Sequence, residues 1–332
     1  MTDRKKEKEP EISADELVEL YRKMVEIRHF EDKVHESFQK GLIYGTTHLA
    51  QGQEAVSVGA ISVLTAIDTL TYTYRGHAQV LARGMDPVAA FAEIFGRQDG
   101  CSKGLGGSMH LADLELGLLG SFAIVGAGLP VAVGAAISSQ LSQSGSVAMT
   151  FFGDGATNIG AFHESMNMAS VWKLPCVFVC ENNLYGEYSP ILTTTPYEDL
   201  VRRADAYAMP AEVVDGNDVT AVRAAATRAV ERAREGLGPS FLECKTYRLC
   251  GHSRSDAGKY RPPGELESWT QRDPLTLFAK RLELDFGLPT DRIESVRRTA
   301  EQKIDRALEV AEASPFPVVG DLMSATYEQV PS

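Results

Sequence analysis

Two short segments, Gly153-Asp154-Gly155 and Glu181-Asn182-Asn183, carry residue types suited to a divalent ion and a phosphate. Asp154 offers a carboxylate oxygen, Asn183 an amide oxygen and Tyr185 a backbone carbonyl. Magnesium takes six oxygens in near-octahedral array, commonly from few protein groups, phosphates and water. Two diphosphate oxygens and a water would complete that shell. Gly153 and Gly155 let the chain turn closely around an ion, and the helix expected from near Asn158 would turn free N–H groups toward an anion. Alone, each segment is an ordinary turn. Separated by one helix and one strand, the two are informative together.

The elements between them say how they meet. Residues 147–152 (VAMTFF) form an apolar run of strand length, residues 159–172 a helix, and residues 176–180 (CVFVC) a second apolar strand. Such a crossover implies parallel strands in a sheet covered on both faces. Ligands of such sheets collect outside the carboxyl ends of the strands, where strand order reverses.

Upstream, residues 13–41 read as a long helix: Ser13 and Glu16 make a capping box, and Leu17, Leu20, Met24, Ile27, Val34 and Phe38 recur at helical spacing. Gly41 ends it. Residues 51–64 read as another helix and 69–74 as a strand. Downstream, 219–235 reads as a helix and 241–247 as a strand, and helices dominate beyond Arg272. Nine glycines crowd residues 100–134, but Met109, His110, Leu118, Leu119, Phe122, Ile124 and Val125 stand among them, so the stretch reads as backbone running close to a ligand and not as a linker. The expected class is α/β, a mostly parallel sheet flanked by helices with helical N- and C-terminal extensions. Residues 13–332 are expected to form one domain after a disordered tail of residues 1–12.

Composition is that of an ordinary globular chain: 332 residues, 44% hydrophobic and 23% charged. The net charge of −12 argues against nucleic acid, whose binders carry a basic footprint. Five cysteines without regular spacing suggest a reducing compartment and no zinc site. No apolar run reaches membrane-spanning length. The first ten residues mix both charge signs without an apolar stretch, unlike a signal or transit peptide. A cytoplasmic location is expected.

The GDG segment followed by NN resembles the thiamine diphosphate signature of decarboxylases, transketolases and 2-oxo acid dehydrogenases. Its wider context, FGDGATNIGAFHESMNMASVWKLPCVFVCENNLYG, resembles the alpha subunit of the pyruvate dehydrogenase decarboxylating component and its relative, acetoin dehydrogenase. The likeness extends from about Gly41 to Pro274 through HLAQGQEA, YRGH, GLGGSMH, IVGAGLP and YRLCGHSRSD. It implies the diphosphate-binding type of thiamine diphosphate fold, with thiamine diphosphate and Mg2+ as cofactors. Asp154, Asn183 and Tyr185 would hold the metal, with Gly155 and Ala156 beside the cofactor. Tyr74 and Arg75 would contact its phosphates, an arginine fork suiting phosphate oxygens. Ala123, where many relatives carry glycine, and Val125 would flank the aminopyrimidine ring. His252 would stand at the reacting centre, with His48 and His77 lining the substrate channel. Ser253 and Ser255 match a loop that orders over the cofactor and is phosphorylated in some relatives.

The resemblance further implies oxidative decarboxylation of pyruvate or a similar 2-oxo acid, with acyl transfer to the lipoyl group of an acyltransferase partner. The carboxylate that activates the cofactor belongs in this family to a beta subunit, so an α2β2 heterotetramer is expected. Acetoin dehydrogenase is the near alternative, and a regulatory homologue without catalysis a distant one. A nicotinamide fold would place a third glycine at Val131 after Gly126 and Gly128, and an acid near Ser146 to Thr150; neither is present.

Overall fold

A computed structural model describes residues 12–318 and residue 320. Most of the expected N-terminal tail therefore lies outside the described residues. In chain order the helices are α1 (Ala14–Gln39), α2 (Glu54–Ile61), α3 (His77–Arg83), α4 (Pro87–Ile94), α5 (Gly128–Ser142), α6 (Gly160–Val171), α7 (Ile191–Thr194), α8 (Val219–Arg234), α9 (Glu265–Thr270), α10 (Pro274–Leu284) and α11 (Thr290–Ala313). The strands are β1 (Thr69–Thr73), β2 (Leu118–Phe122), β3 (Ala148–Gly153), β4 (Cys176–Asn182), β5 (Tyr185–Gly186), β6 (Ser189–Pro190), β7 (Ala211–Asp215) and β8 (Ser240–Lys245).

Six strands form one parallel sheet in the order β2-β1-β3-β4-β8-β7. The chain steps from β1 outward to β2, then returns past β1 to β3, so strand order reverses between β1 and β3. β3 and β4 pair with Gly153 opposite Glu181, which brings Asp154 and the Asn182–Asn183 segment out side by side. β4 pairs with β8 so that Arg248 leaves the same edge three residues beyond Lys245.

Both faces of the sheet are covered, as its near-continuous apolar strands require. Met149, Phe151, Val177, Val179 and Leu242 point into a core with α1, α2 and α8. Phe152, Phe178, Cys180 and Phe241 point the other way, against α5 and α6. This period of two along fully buried strands explains why β4 shows no polar alternation. α1 carries the capping box: Ser13 N donates to Glu16 (3.0 Å), and Glu16 N to the Ser13 hydroxyl (3.3 Å). At its other end Leu42 N reaches back to Ser37 O with Gly41 at φ +76°, the left-handed stop that glycine permits.

The boundaries differ from expectation in places that matter. β4 runs on to Asn182, so Glu181 and Asn182 are strand residues and the turn begins at Asn183. A 3-10 turn over Asp154–Asn158 precedes α6, which starts at Gly160. The glycine-rich stretch contains edge strand β2 and the first part of the fifteen-residue helix α5, up to Gly134, neither expected, and β7 closes the opposite edge.

Glu93, fully buried on α4, organises the loop that precedes β2. Its two carboxylate oxygens accept from the backbone N–H groups of Ser102 (2.7 Å), Gly104 (2.9 Å), Gly106 (2.7 Å) and Gly107 (3.1 Å). Glycine is required for this knot: a Cβ at Gly100 would lie 2.4 Å from the Glu93 carboxylate. One at Gly104 (φ +74°) would lie 2.5 Å from Gly96 backbone. Hydrogen bonds to a charged group are worth about 1.5–3 kcal/mol each, and part of the loop can rehydrate. Glu93→Ala is therefore expected to cost about 3–5 kcal/mol in urea unfolding. A loss below about 1 kcal/mol would show that the carboxylate does not hold the loop.

Candidate active site

The carboxyl ends of β1, β3, β4 and β8 open on a cavity of about 540 Å³. Asp154, Asn183 and Tyr185 all line it, as do Tyr74, Arg75, Ala123, Val125, Gly155, Ala156, His48 and His252. The two turns that define the cavity floor touch. A Cβ on Gly155 would lie 3.2 Å from the Cα of Gly186, so the chain passes there at van der Waals distance.

Asp154 is buried, and its Oδ2 has no hydrogen-bond partner. Burial pushes its carboxyl up to about 6, against hydrogen bonds from its own N–H and that of Asn183 and the nearby Arg248 charge. The Asn183 amide is oriented by Gln53, whose Oε1 accepts from Asn183 Nδ2 at 2.8 Å, leaving Asn183 Oδ1 without a partner. Two orphaned oxygen acceptors thus share one cavity. An unpaired buried acceptor costs about 1–3 kcal/mol, which a bound cation would recover.

The same cavity holds two buried cations. Arg75 donates to Leu49 O (2.6 Å) and His252 O (2.8 Å), both neutral carbonyls. Arg248 donates to Glu187 O (3.0 Å) and lies 3.5 Å from the Tyr260 hydroxyl, while its Nη1 has no partner. Neither arginine forms an ion pair with a carboxylate among the described residues. Burial, then the neighbouring Arg248 charge, lowers the Arg75 pKa. Buried charges are ordinarily paired. An anion would supply a counter-charge, and Arg248 Nη1 is free to meet it, whereas two Arg75 nitrogens are spent on carbonyls.

The wall beyond is aromatic. The His48 ring lies 4.3 Å from Tyr74 and 5.0 Å from His252, and Tyr188 lies 6.1 Å from His252. Burial and then Arg75 hold both imidazoles low, His48 to about 3 and His252 to about 4. Both rings are neutral across the physiological range. Glu181, also on the cavity wall, is raised to about 7 by burial, against the Arg75 charge and a hydrogen bond from Gln79 (3.1 Å).

His77 is placed differently from expectation. It is fully buried, does not line the cavity, and both ring nitrogens are engaged, Nδ1 with Glu31 (2.8 Å) and Nε2 with Ser108 (2.9 Å). Glu31 in turn accepts from Ala50 N at 2.9 Å, two residues from His48. His77 braces the wall from behind. Gln53 and Arg248, conversely, escaped the sequence reading although they stand in the quoted HLAQGQEA and YRLCGHSRSD segments.

The turn that follows β4 is strained. Leu184 (φ +72°) and Glu187 (φ +57°) both adopt the left-handed conformation, at a cost of about 1–3 kcal/mol each. Between them lie Tyr185 and Gly186, paired with Pro190 and Ser189 in a short antiparallel ribbon. Such strain persists where surrounding contacts over-determine it, and it clusters at ligand sites.

Orphaned acceptors beside guanidinium groups without carboxylate partners, at the switch point of a parallel sheet, have the chemistry to suit a metal–phosphate ligand. The comparisons give this class a family. Residues 22–319 match the family model described as dehydrogenase E1 component, and the chain belongs to that family. It is 44% identical over 309 residues to the alpha subunit of acetoin:2,6-dichlorophenolindophenol oxidoreductase of Bacillus subtilis (strain 168), covering 93% of this chain and 92% of that protein. It is 40% identical to pyruvate dehydrogenase E1 component subunit alpha-3, chloroplastic, of Oryza sativa subsp. japonica (95% and 76% covered). It is also 40% identical to pyruvate dehydrogenase E1 component subunit alpha of Zymomonas mobilis subsp. mobilis (93% and 87%). Members of the family are oxidoreductases that use thiamine diphosphate with a divalent ion, usually Mg2+. No helix of the described residues is long and apolar enough to cross a membrane.

The residues fit that cofactor, and two outcomes follow. Asp154→Ala should abolish magnesium-dependent binding of thiamine diphosphate in calorimetry while circular dichroism stays native; unchanged binding would remove the metal assignment. The histidines give a pH signature. An unfolded histidine titrates near 6.5, so between about 6.5 and 4 the unfolded chain takes up protons that these rings refuse, and native stability falls as pH falls through that window. Imidazole NMR of the cofactor-free protein should show midpoints below pH 5 for His48 and His252, moving up when magnesium pyrophosphate is added. A midpoint near 6.5 for either ring in the free protein would contradict this electrostatic picture.

Proposed function

We propose that the chain is the alpha subunit of a thiamine diphosphate-dependent 2-oxo acid dehydrogenase, acting on pyruvate or a similar 2-oxo acid and passing the acyl group to a lipoyl arm. The observation that carries this reading is the coexistence, in one cavity, of unpaired acceptors for a divalent ion and two guanidinium groups without carboxylate partners, one donor of Arg248 being free, for a diphosphate. Either set alone would suit a metal or an anion; together they suit a magnesium diphosphate.

When bound, thiamine diphosphate supplies a ring that accepts the electron pair released as carbon dioxide departs. This chain's residues would do the rest. Asp154, Asn183 Oδ1 and the Tyr185 carbonyl would hold the ion, and Arg75 and Arg248 would offset the phosphate charge. Ala123 and Val125 would flank the pyrimidine. His48 and His252, kept neutral by burial and the arginines, would hold or move a proton at the substrate oxygen, a contribution of about 10²–10⁴-fold for a positioned acid or base. The Tyr74 and Tyr188 rings would limit water at that end.

The site also argues for a second chain. Val125 (47% exposed) lines the cavity next to Ile124 (74%), α5 exposes Val131 and Leu141, α6 exposes Met168 and Val171, and Trp172 caps α6. Apolar side chains left exposed in this number suit a protein contact. A beta subunit covering them would supply the carboxylate that activates the cofactor, in an α2β2 assembly, and the acyltransferase would dock on that assembly.

Turnover separates the substrates. With a matched beta chain, magnesium and thiamine diphosphate, pyruvate should be consumed faster than branched 2-oxo acids or acetoin, and the alpha chain alone should be silent. Turnover of acetoin alone would move the assignment to the acetoin-cleaving branch, which the 44% identical relative represents.

A further inference from the structure

The strained turn 184–187 is anchored from outside its own ribbon. The Tyr185 side chain is buried, and its one hydroxyl proton faces both carboxylate oxygens of Glu265, at 2.8 and 3.0 Å. The hydroxyl of Tyr247, just past β8, donates to the same Glu265 Oε1 at 2.6 Å. Trp269, from the same short helix α9, stacks on Tyr247 with centroids 5.3 Å apart and planes 4° apart. The Arg261 guanidinium lies over the Tyr247 ring, 4.9 Å from its centroid, and donates to Arg248 O and Cys250 O at 2.8 and 2.5 Å. Tyr260 packs on Tyr185 at 5.3 Å. One carboxylate on α9 thus ties together the turn after β4 and the segment that carries Arg248.

We propose that Glu265 is a positioning residue for the metal site: through the Tyr185 phenol it holds the left-handed turn in the shape that presents the Tyr185 backbone to the ion. The inference rests on the functional reading above and deepens it. Glu265 itself touches neither ion nor phosphate. Two short O–H to carboxylate bonds are strong because the acceptor is charged. They are directed, because each phenol has one donor and the carboxylate has lone pairs enough for both. Two non-glycine residues in the left-handed region need such an external hold. Without it the turn relaxes, and the metal donor it carries moves while Asp154 and Asn183, set by β3 and Gln53, stay.

The test uses the full chain assembled with its beta chain. Calorimetric binding of thiamine diphosphate is followed against magnesium concentration, with thermal unfolding of the metal-free protein measured beside it. Glu265→Ala is expected to raise the magnesium concentration at half-saturation by roughly tenfold, the scale of one lost charge-assisted hydrogen bond. Glu265→Gln, which keeps an acceptor oxygen, should recover most of that shift, and adding Tyr185→Phe to Glu265→Ala should shift it no further. A merely structural role would lower the unfolding temperature and leave the magnesium midpoint in place; that result in Glu265→Ala overturns the proposal. Absence of metal-dependent binding in the unaltered protein would instead remove the functional reading itself.

Discussion

The whole arrangement depends on a deliberate electrostatic imbalance. A buried pocket that contains Asp154 Oδ2, Asn183 Oδ1 and Arg248 Nη1 without partners is costly to fold. The simplest relief, an arginine swinging onto the aspartate, does not occur, because neutral carbonyls hold both guanidinium groups in place. Leu49 O and His252 O take Arg75, and Glu187 O takes Arg248. The chain therefore carries separated charges that only a ligand bearing both signs can satisfy. Metal and diphosphate together are such a ligand, and neither half alone completes it.

Separated charges stay separated only on a stiff frame. Parallel pairing of β3 with β4 and of β4 with β8 sets three strand ends at fixed spacing, and cores on both faces lock the sheet. The remaining freedom lies in the turns, and each has its own brace. Gln53 sets the Asn183 amide, Glu93 knots the loop leading to Met109 at the cavity wall, and Glu31 with Ser108 pins His77 behind His48. Apart from Gln53 Nε2, the polar atoms of these braces are buried with partners, the condition under which polar networks rigidify a fold.

That division explains what could be read from residue order alone. Asp154 and Asn183 were legible because each follows an apolar run of strand length and the crossover between them has one preferred geometry. Long elements with clean periodicity, such as α1 and α8, were legible for the same reason. β2 and α5 were not, since glycines at 117, 120, 126, 128 and 134 mask both the strand and the helix signal until tertiary packing decides. His77 misled because it opens α3, where a shift of one residue turns a side chain from cavity to core, and motif proximity does not report that rotation. Gln53 and Arg248 carry no local signal at all. A glutamine at a helix start and an arginine after a strand are commonplace, and their roles arise from partners 130 residues and 61 residues away.

The neutrality of the two histidines completes the electrostatic logic. Burial first, and the Arg75 and Arg248 charges after it, suppress protonation of His48 and His252, so that end of the cavity carries no further positive charge. A bound diphosphate would offset the arginines and release part of that suppression, making the imidazoles more basic when there is a substrate oxygen to serve. Cofactor binding and acid–base readiness would thereby be linked through charge, with no movement of the backbone required. The charges that would meet the phosphate would then also set the proton affinity of the imidazoles beside it.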